Sequence, residues 1–179
     1  MEFSKKTREL SIKKMQERTL DLLIIGGGIT GAGVALQAAA SGLETGLIEM
    51  QDFAEGTSSR STKLVHGGLR YLKQFDVEVV SDTVSERAVV QQIAPHIPKP
   101  DPMLLPVYDE DGATFSLFRL KVAMDLYDLL AGVNNTPAAN KVLSKEEVLE
   151  REPELKKEGL VGGGVYLDFR NNDARLVIE

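Results

Sequence analysis

The chain has 179 residues, of which 27% are charged and 42% hydrophobic, an ordinary composition for a globular protein. Its net charge of −6 leaves no basic surface with which to neutralise a phosphate backbone, which argues against a nucleic-acid partner. It has no cysteine, so disulfides, thiolate metal sites and a cysteine nucleophile are excluded, and two distant histidines, His66 and His96, cannot build a metal site.

The first eighteen residues, Met1 to Arg18, alternate cations and acids around Leu10, Ile12 and Met15. This thin apolar face predicts a short amphipathic helix packed loosely on the domain, in preference to a membrane-surface helix. An apolar strand follows, Asp21-Leu22-Leu23-Ile24-Ile25, and breaks into Gly26-Gly27-Gly28-Ile29-Thr30-Gly31. The spacing Gly26-x-Gly28-x-x-Gly31 is that of a dinucleotide turn. The first glycine permits the sharp strand-to-helix turn, the second lets backbone approach a pyrophosphate, and the third lets the helix pack on the sheet. The helix then aims its free N–H groups and the positive end of its dipole at the phosphates.

Ala32 to Ser41 is alanine-rich and reads as that helix, with Gly42 as its left-handed cap. A second strand, Thr45 to Glu49, closes the βαβ unit and carries Glu49 at its carboxyl end. A carboxylate there accepts hydrogen bonds from the adenosine ribose and repels a 2′-phosphate, which disfavours NADP and leaves FAD and NAD open.

The polar segment Gln51 to Lys63 precedes Leu64 to Leu72, and a helix is predicted from about Val77 to Ala94 with Val80, Val84, Ala88 and Gln91 on one face. Pro95, Pro98, Pro100 and Pro102 end it and read as a connection, with a short strand only from Met103 to Tyr108. Asp109-Glu110-Asp111-Gly112 reads as a turn, and Phe115 to Leu130 as a helix with the stripe Leu117, Leu120, Met124, Tyr127, Leu130. Gly132 to Asn140 is loop-like, and Ser144 with Glu147 forms a capping box for a helix ending before Pro153. Gly162-Gly163-Gly164 leads into Val165 to Arg170 with no helix behind it, so a flexible sheet entry is favoured over a second phosphate site.

Asn172-Asp173 cap a last helix that has no stop signal before Glu179, so the chain is expected to be the N-terminal part of a longer protein. No apolar run reaches the length of a membrane span and no signal-peptide pattern opens the chain, so a cytoplasmic location is expected.

The stretch beyond Glu49 bears on the cofactor. Hydroxyls at Thr57, Ser58, Ser59, Ser61 and Thr62 can bond phosphate or ribityl oxygens, and Gly67-Gly68 lets a flat ring approach the backbone. With Gly26 to Gly33, the string Lys63-Leu64-Val65-His66-Gly67-Gly68-Leu69-Arg70-Tyr71-Leu72 resembles the FAD-dependent glycerol-3-phosphate oxidases and dehydrogenases, members of the D-amino-acid-oxidase-like flavoprotein superfamily. The resemblance runs from about Leu20 to the last residue and includes Ala94-Pro95-His96, Leu105-Pro106 and Asn172-Asp173-Ala174-Arg175-Leu176. The charged extension before the first strand matches the bacterial oxidase branch.

This resemblance implies an α/β architecture: a Rossmann-like FAD-binding βαβ fold followed by the start of a mixed α+β substrate (cap) domain. The segments would be a charged helix at 1–18, the N-terminal part of the FAD-binding domain at 19–107, and a helical insertion with the beginning of the substrate region at 108–179. It implies oxidation of sn-glycerol 3-phosphate to dihydroxyacetone phosphate, with hydride passing from substrate C2 to flavin N5 and electrons on to oxygen, giving hydrogen peroxide. A quinone acceptor would instead make it a dehydrogenase at the inner face of the membrane. A related FAD oxidase of amines or hydroxy acids would share the glycines without needing Arg70-Tyr71, and a non-catalytic nucleotide-binding module is the remaining reading. A homodimer is admitted.

Carried over by position, Gly26, Gly27, Gly28, Ile29, Thr30 and Gly31 would hold the pyrophosphate, Glu49 the adenosine ribose, and Thr57, Ser58, Ser59, Ser61 and Thr62 the region toward the flavin. Arg70 and Tyr71 match substrate-phosphate contacts, a task suited to the two-pronged guanidinium. His66 is the candidate to polarise the flavin or help take the substrate hydroxyl proton, with a purely structural role the alternative. Lys63 is either a phosphate ligand or a solvated lysine.

Overall fold

The computed structural model describes residues 4–74, 76–110, 116–133 and 135–179. In chain order the elements are α1 (Lys5–Glu17), β1 (Leu22–Ile25), α2 (Ile29–Ala40), β2 (Thr45–Ile48), β3 (Leu64–Val65), a 3-10 turn (Leu69–Gln74), α3 (Val77–Ile93), β4 (Lys99–Tyr108), α4 (Leu117–Leu130), β5 (Lys141–Ser144), α5 (Lys145–Arg151), β6 (Leu160–Arg170) and α6 (Asp173–Ile178). The predicted turn residues Asp111 and Gly112, the helix start at Phe115, Asn134 of the loop and Met1 to Phe3 lie outside the described residues. The described residues fall into two compact units, Met1–Lys63 with Asn172–Glu179, and Leu64–Asn171.

In the first unit, α1 starts with a capping box, the Ser4 side chain accepting from the Thr7 amide while the Thr7 hydroxyl accepts from the Ser4 amide. It buries no residue, in keeping with its thin apolar face, but Met15 and Leu20 close over Gly46 of β2. β1 and β2 pair in parallel, Leu22 opposite Thr45 through Ile25 opposite Ile48, with α2 as the crossover. Gly42 ends α2 in the left-handed region at φ +82, its amide and that of Leu43 returning to Ala39 and Ala38 carbonyls at 3.0 and 3.1 Å. Asn172 caps α6 by accepting from the Arg175 amide at 3.2 Å.

In the second unit β6 is central, with β4 along one edge and β3 and β5 at opposite ends of the other, all antiparallel. The expectation that Pro95 to Pro102 is only a connection fails, because β4 begins at Lys99 and contains Pro100, Pro102 and Pro106. All three sit at positions of one parity, so their missing N–H groups fall on the edge of β4 turned away from β6, where no partner strand needs them. The domain boundary expected between residues 107 and 108 also falls inside this sheet, since Tyr108 continues the pairing of β4 with β6.

The glycine cluster is a mid-strand packing device in β6. A Cβ at Gly164 would stand 2.6 Å from Met124 Sδ and 2.9 Å from Leu120 Cδ2, so the bare backbone lets α4 lie close on the sheet. The core joins Leu69, Leu72, Val80, Val84, Val107, Leu120, Ala123, Met124 and Tyr127, and a smaller cluster joins Leu143, Val148 and Leu160. The loop after α4 is tied down by the buried Asp128 carboxylate, which accepts from the Asn140 backbone amide at 2.6 Å and its side-chain amide at 2.8 Å. Among the described residues no helix is long and apolar enough to cross a membrane.

Candidate functional site

Within the first unit the glycine turn, Glu49 and Ser58 converge. α2 begins at Ile29 with Gly28 as its N-cap, a residue with no side chain to satisfy the first-turn amides. Ser58 takes one of them, its Oγ accepting from the Ile29 N–H at 2.9 Å, and the Gly28 position admits this hydroxyl because an added Cβ would lie 3.0 Å from it. Beyond Ile29, the helix presents its N-terminal N–H groups and dipole at this turn, at Thr30 and Gly31. A Cβ at Gly31 would overlap the Gly26 carbonyl oxygen, so glycine is required for the helix to start this close to the strand.

The Glu49 carboxylate closes the turn from the end of β2. Its Oε2 accepts from the Gly27 amide at 2.7 Å and its Oε1 from the Gln51 amide at 2.9 Å. These two bonds, Gly27 first, hold its carboxyl below the usual carboxylate value, so it is an anion with lone pairs to spare for two further donors. Vicinal ribose hydroxyls are such donors, and an anionic phosphate is not. The strip of N–H groups at the helix start, the bare glycines and the carboxylate therefore fit the pyrophosphate and unphosphorylated ribose of an adenine dinucleotide.

The hydroxyl-rich segment splits between two tasks. Ala54 folds it back on the turn, its amide donating to the Gly27 carbonyl at 2.9 Å. Ser58 joins the glycine turn, whereas Ser61 donates to the Asp173 carboxylate at the start of α6. Lys63, at φ +62, pairs with the same carboxylate at 3.4 Å and donates to the Ser59 carbonyl, which engages its ammonium in an ion pair within the unit. Thr57 and Thr62 are exposed, and Ser59 is half-buried.

His66, Arg70 and Tyr71 lie in the second unit. His66 Nδ1 accepts from the Gly68 amide at 3.1 Å, Gly68 being at φ +75. A neutral imidazole with its Nδ1 so engaged carries its proton on Nε2, which is then a donor and not an acceptor. Arg70 Nη2 donates to the Tyr71 hydroxyl at 3.1 Å, with its guanidinium carbon 5.0 Å from the centre of the Tyr71 ring. Tyr71 thereby holds one prong of an exposed guanidinium and leaves the others for an anion.

Reading the sequence missed a buried group beneath this stretch. Arg87 is 5% exposed and Asp168 2% exposed, and Arg87 Nη1 donates to Asp168 Oδ1 at 3.0 Å and to the Tyr127 hydroxyl at 2.6 Å. Asp168 Oδ1 also accepts from the amides of Gly67 at 3.2 Å and Phe169 at 3.1 Å. Burial pushes the Asp168 carboxyl up, opposed by Arg87 and by the two amides, and burial likewise raises Tyr127 and pushes Tyr166 up to about 12. The available signal was Arg87 itself, a charge standing three residues after Val84 and seven after Val80 on the face of α3 that packs inward.

The glycine turn with Glu49 defines a dinucleotide-binding protein; residues 21–179 match the family model described as FAD dependent oxidoreductase, and the chain belongs to that family, whose cofactor is FAD. Over its whole length it is 97% identical to an alpha-glycerophosphate oxidase of Streptococcus pneumoniae and 74% identical to one of Enterococcus casseliflavus. It spans 29% of the length of each of these relatives. Among solved structures it resembles the glycerol-3-phosphate dehydrogenase of Bacillus halodurans complexed with FAD, with a TM-score of 0.67 and 42% identity, over 99% of this chain and 27% of that one.

Proposed function

We propose that this chain, as part of a full-length flavoprotein, takes part in the oxidation of sn-glycerol 3-phosphate to dihydroxyacetone phosphate, with oxygen as electron acceptor and hydrogen peroxide as product. The observation that carries this reading is the 97% identity across all 179 residues to an alpha-glycerophosphate oxidase. FAD, when bound, supplies the hydride acceptor for C2 and the route of two electrons to oxygen.

The residues of the chain supply binding and orientation. Gly26 to Gly31 would receive the pyrophosphate on backbone N–H groups and Glu49 would accept from the adenosine ribose. Arg70, steadied by Tyr71, would grip the substrate phosphate through two parallel hydrogen bonds. His66, with its proton on Nε2, suits donation to an oxygen of substrate or cofactor better than removal of the hydroxyl proton. Thr57, Ser59, Ser61 and Thr62 remain proposed cofactor neighbours by position, although Ser61 is already engaged with Asp173.

The test is steady-state peroxide production by the full-length protein with glycerol 3-phosphate. Arg70→Ala should raise KM about 10- to 100-fold with kcat little changed, the value of a lost charge-assisted phosphate contact. An unchanged KM removes Arg70 from the site. Reduction of a quinone without peroxide would reassign the acceptor, and turnover of an unphosphorylated amine or hydroxy acid would overturn the substrate.

A further inference from the structure

Gly67 is held more firmly than a loop residue between two exposed site candidates requires. Its N–H donates to the buried Asp168 Oδ1 at 3.2 Å, and the Thr83 hydroxyl lies 3.0 Å from its carbonyl oxygen. A side chain on it would collide with the Tyr127 hydroxyl and stand 2.7 Å from Val84 Cγ2. The neighbouring amide, that of Gly68, is the group that engages His66 Nδ1. The orientation of the imidazole is therefore set by backbone that Asp168 fixes from below.

Asp168 is itself oriented by Arg87, whose guanidinium also stacks 4.6 Å from the Phe169 ring centre and 5.5 Å from that of Tyr127. A buried ion pair is poor evidence of stability, since apolar residues of similar volume often serve a core as well or better. Apolar residues cannot accept from a backbone amide. We propose that Arg87 and Asp168 are positioning residues for His66: the pair anchors the Gly67 amide and so fixes the direction in which His66 presents Nε2. This rests on the reading above that His66 meets the reacting groups.

Two paired replacements in the full-length flavoprotein separate anchoring from packing. Arg87→Gln with Asp168→Asn keeps an acceptor for the Gly67 amide without buried charge, whereas Arg87→Met with Asp168→Leu fills the space and removes the acceptor. The neutral polar pair should keep kcat within about 3-fold of the parent, and the apolar pair should lose about 10-fold or more at similar KM and with an altered visible flavin spectrum. Adding His66→Ala should then cost little more in the apolar-pair background, because residues acting as one unit are non-additive.

Equal kcat in both paired variants overturns the proposal, as does full additivity with His66→Ala. If His66→Ala alone leaves kcat and the spectrum unchanged, it is the reading of His66 that fails, and the positioning role falls with it. Should the apolar pair not fold, Asp168→Glu serves instead: it keeps the charge and shifts the accepting oxygen by one methylene. A kcat loss of about 3-fold or more, non-additive with His66→Ala, supports the proposal, and an unchanged kcat overturns it.

Discussion

The two units of this chain are ordered by different physics. Met1–Lys63 with Asn172–Glu179 buries only Ile24, Ala38 and Ala54 among its described hydrophobic residues and leaves Ile25 and Met50 81% and 94% exposed. Its shape comes from local hydrogen bonds and bare glycines at the turn between β1 and α2. Leu64–Asn171 instead closes a continuous core between α3, α4 and the sheet, with Leu120, Met124 and Tyr127 fully buried. Within these 179 residues, which span 29% of the length of the relatives, the turn between β1 and α2 is held by backbone polar groups with defined partners, whereas the second unit packs apolar volume around Leu120, Met124 and Tyr127.

The sharpest way to break the contrast is a core truncation. Leu120→Ala should destabilise the second unit by about 2–5 kcal/mol in chemical denaturation, while Val34→Ala on the exposed face of α2 should stay within about 0.5 kcal/mol. Comparable losses from both would show that the two units share one energetic character. Next in size is Gly31→Ala: the new methyl overlaps the Gly26 carbonyl, and displacement of the turn should cost about 1–3 kcal/mol and weaken flavin retention by the full-length protein. Full flavin occupancy after dialysis of that variant would show that the turn tolerates the shift.

The pH responses of the two units differ in sign. In the second unit Tyr166 has its folded value raised from 10 to about 12, so its contribution is complete below pH 10 and lost as pH rises through about 12. The tyrosinate absorbance of the native protein should therefore lag that of the denatured protein on base titration. In the first unit Glu49 is lowered from 4.5, so its contribution is present above 4.5 and lost as pH falls through its lower folded value. A Glu49 carboxyl resonance titrating at or above 4.5 in the folded protein would remove the Gly27 bond as its cause.

Much of the first unit was legible because it is sequence-local. The strand, Gly26-x-Gly28-x-x-Gly31, the alanine-rich helix and Glu49 lie within thirty residues, and each signals its role by its own backbone or charge. The capping box of Ser144 with Glu147 and the cap at Asn172 were legible for the same reason. The prolines of β4 misled because proline's missing donor is harmless at a strand edge facing no partner, and only the sheet order reveals which edge that is.

By itself the sequence determined the dinucleotide turn, the presence of the α-helices and the family, since these depend on residue types at short fixed spacings. The tertiary structure alone decided that Gly162-Gly163-Gly164 makes room for α4 and α5, that Ser61 and Lys63 meet Asp173, and that Arg87 reaches Asp168 across 81 positions of the chain to hold Gly67. The reason is that burial and charge pairing depend on which surfaces meet, a relation between distant segments that no local pattern of residues encodes.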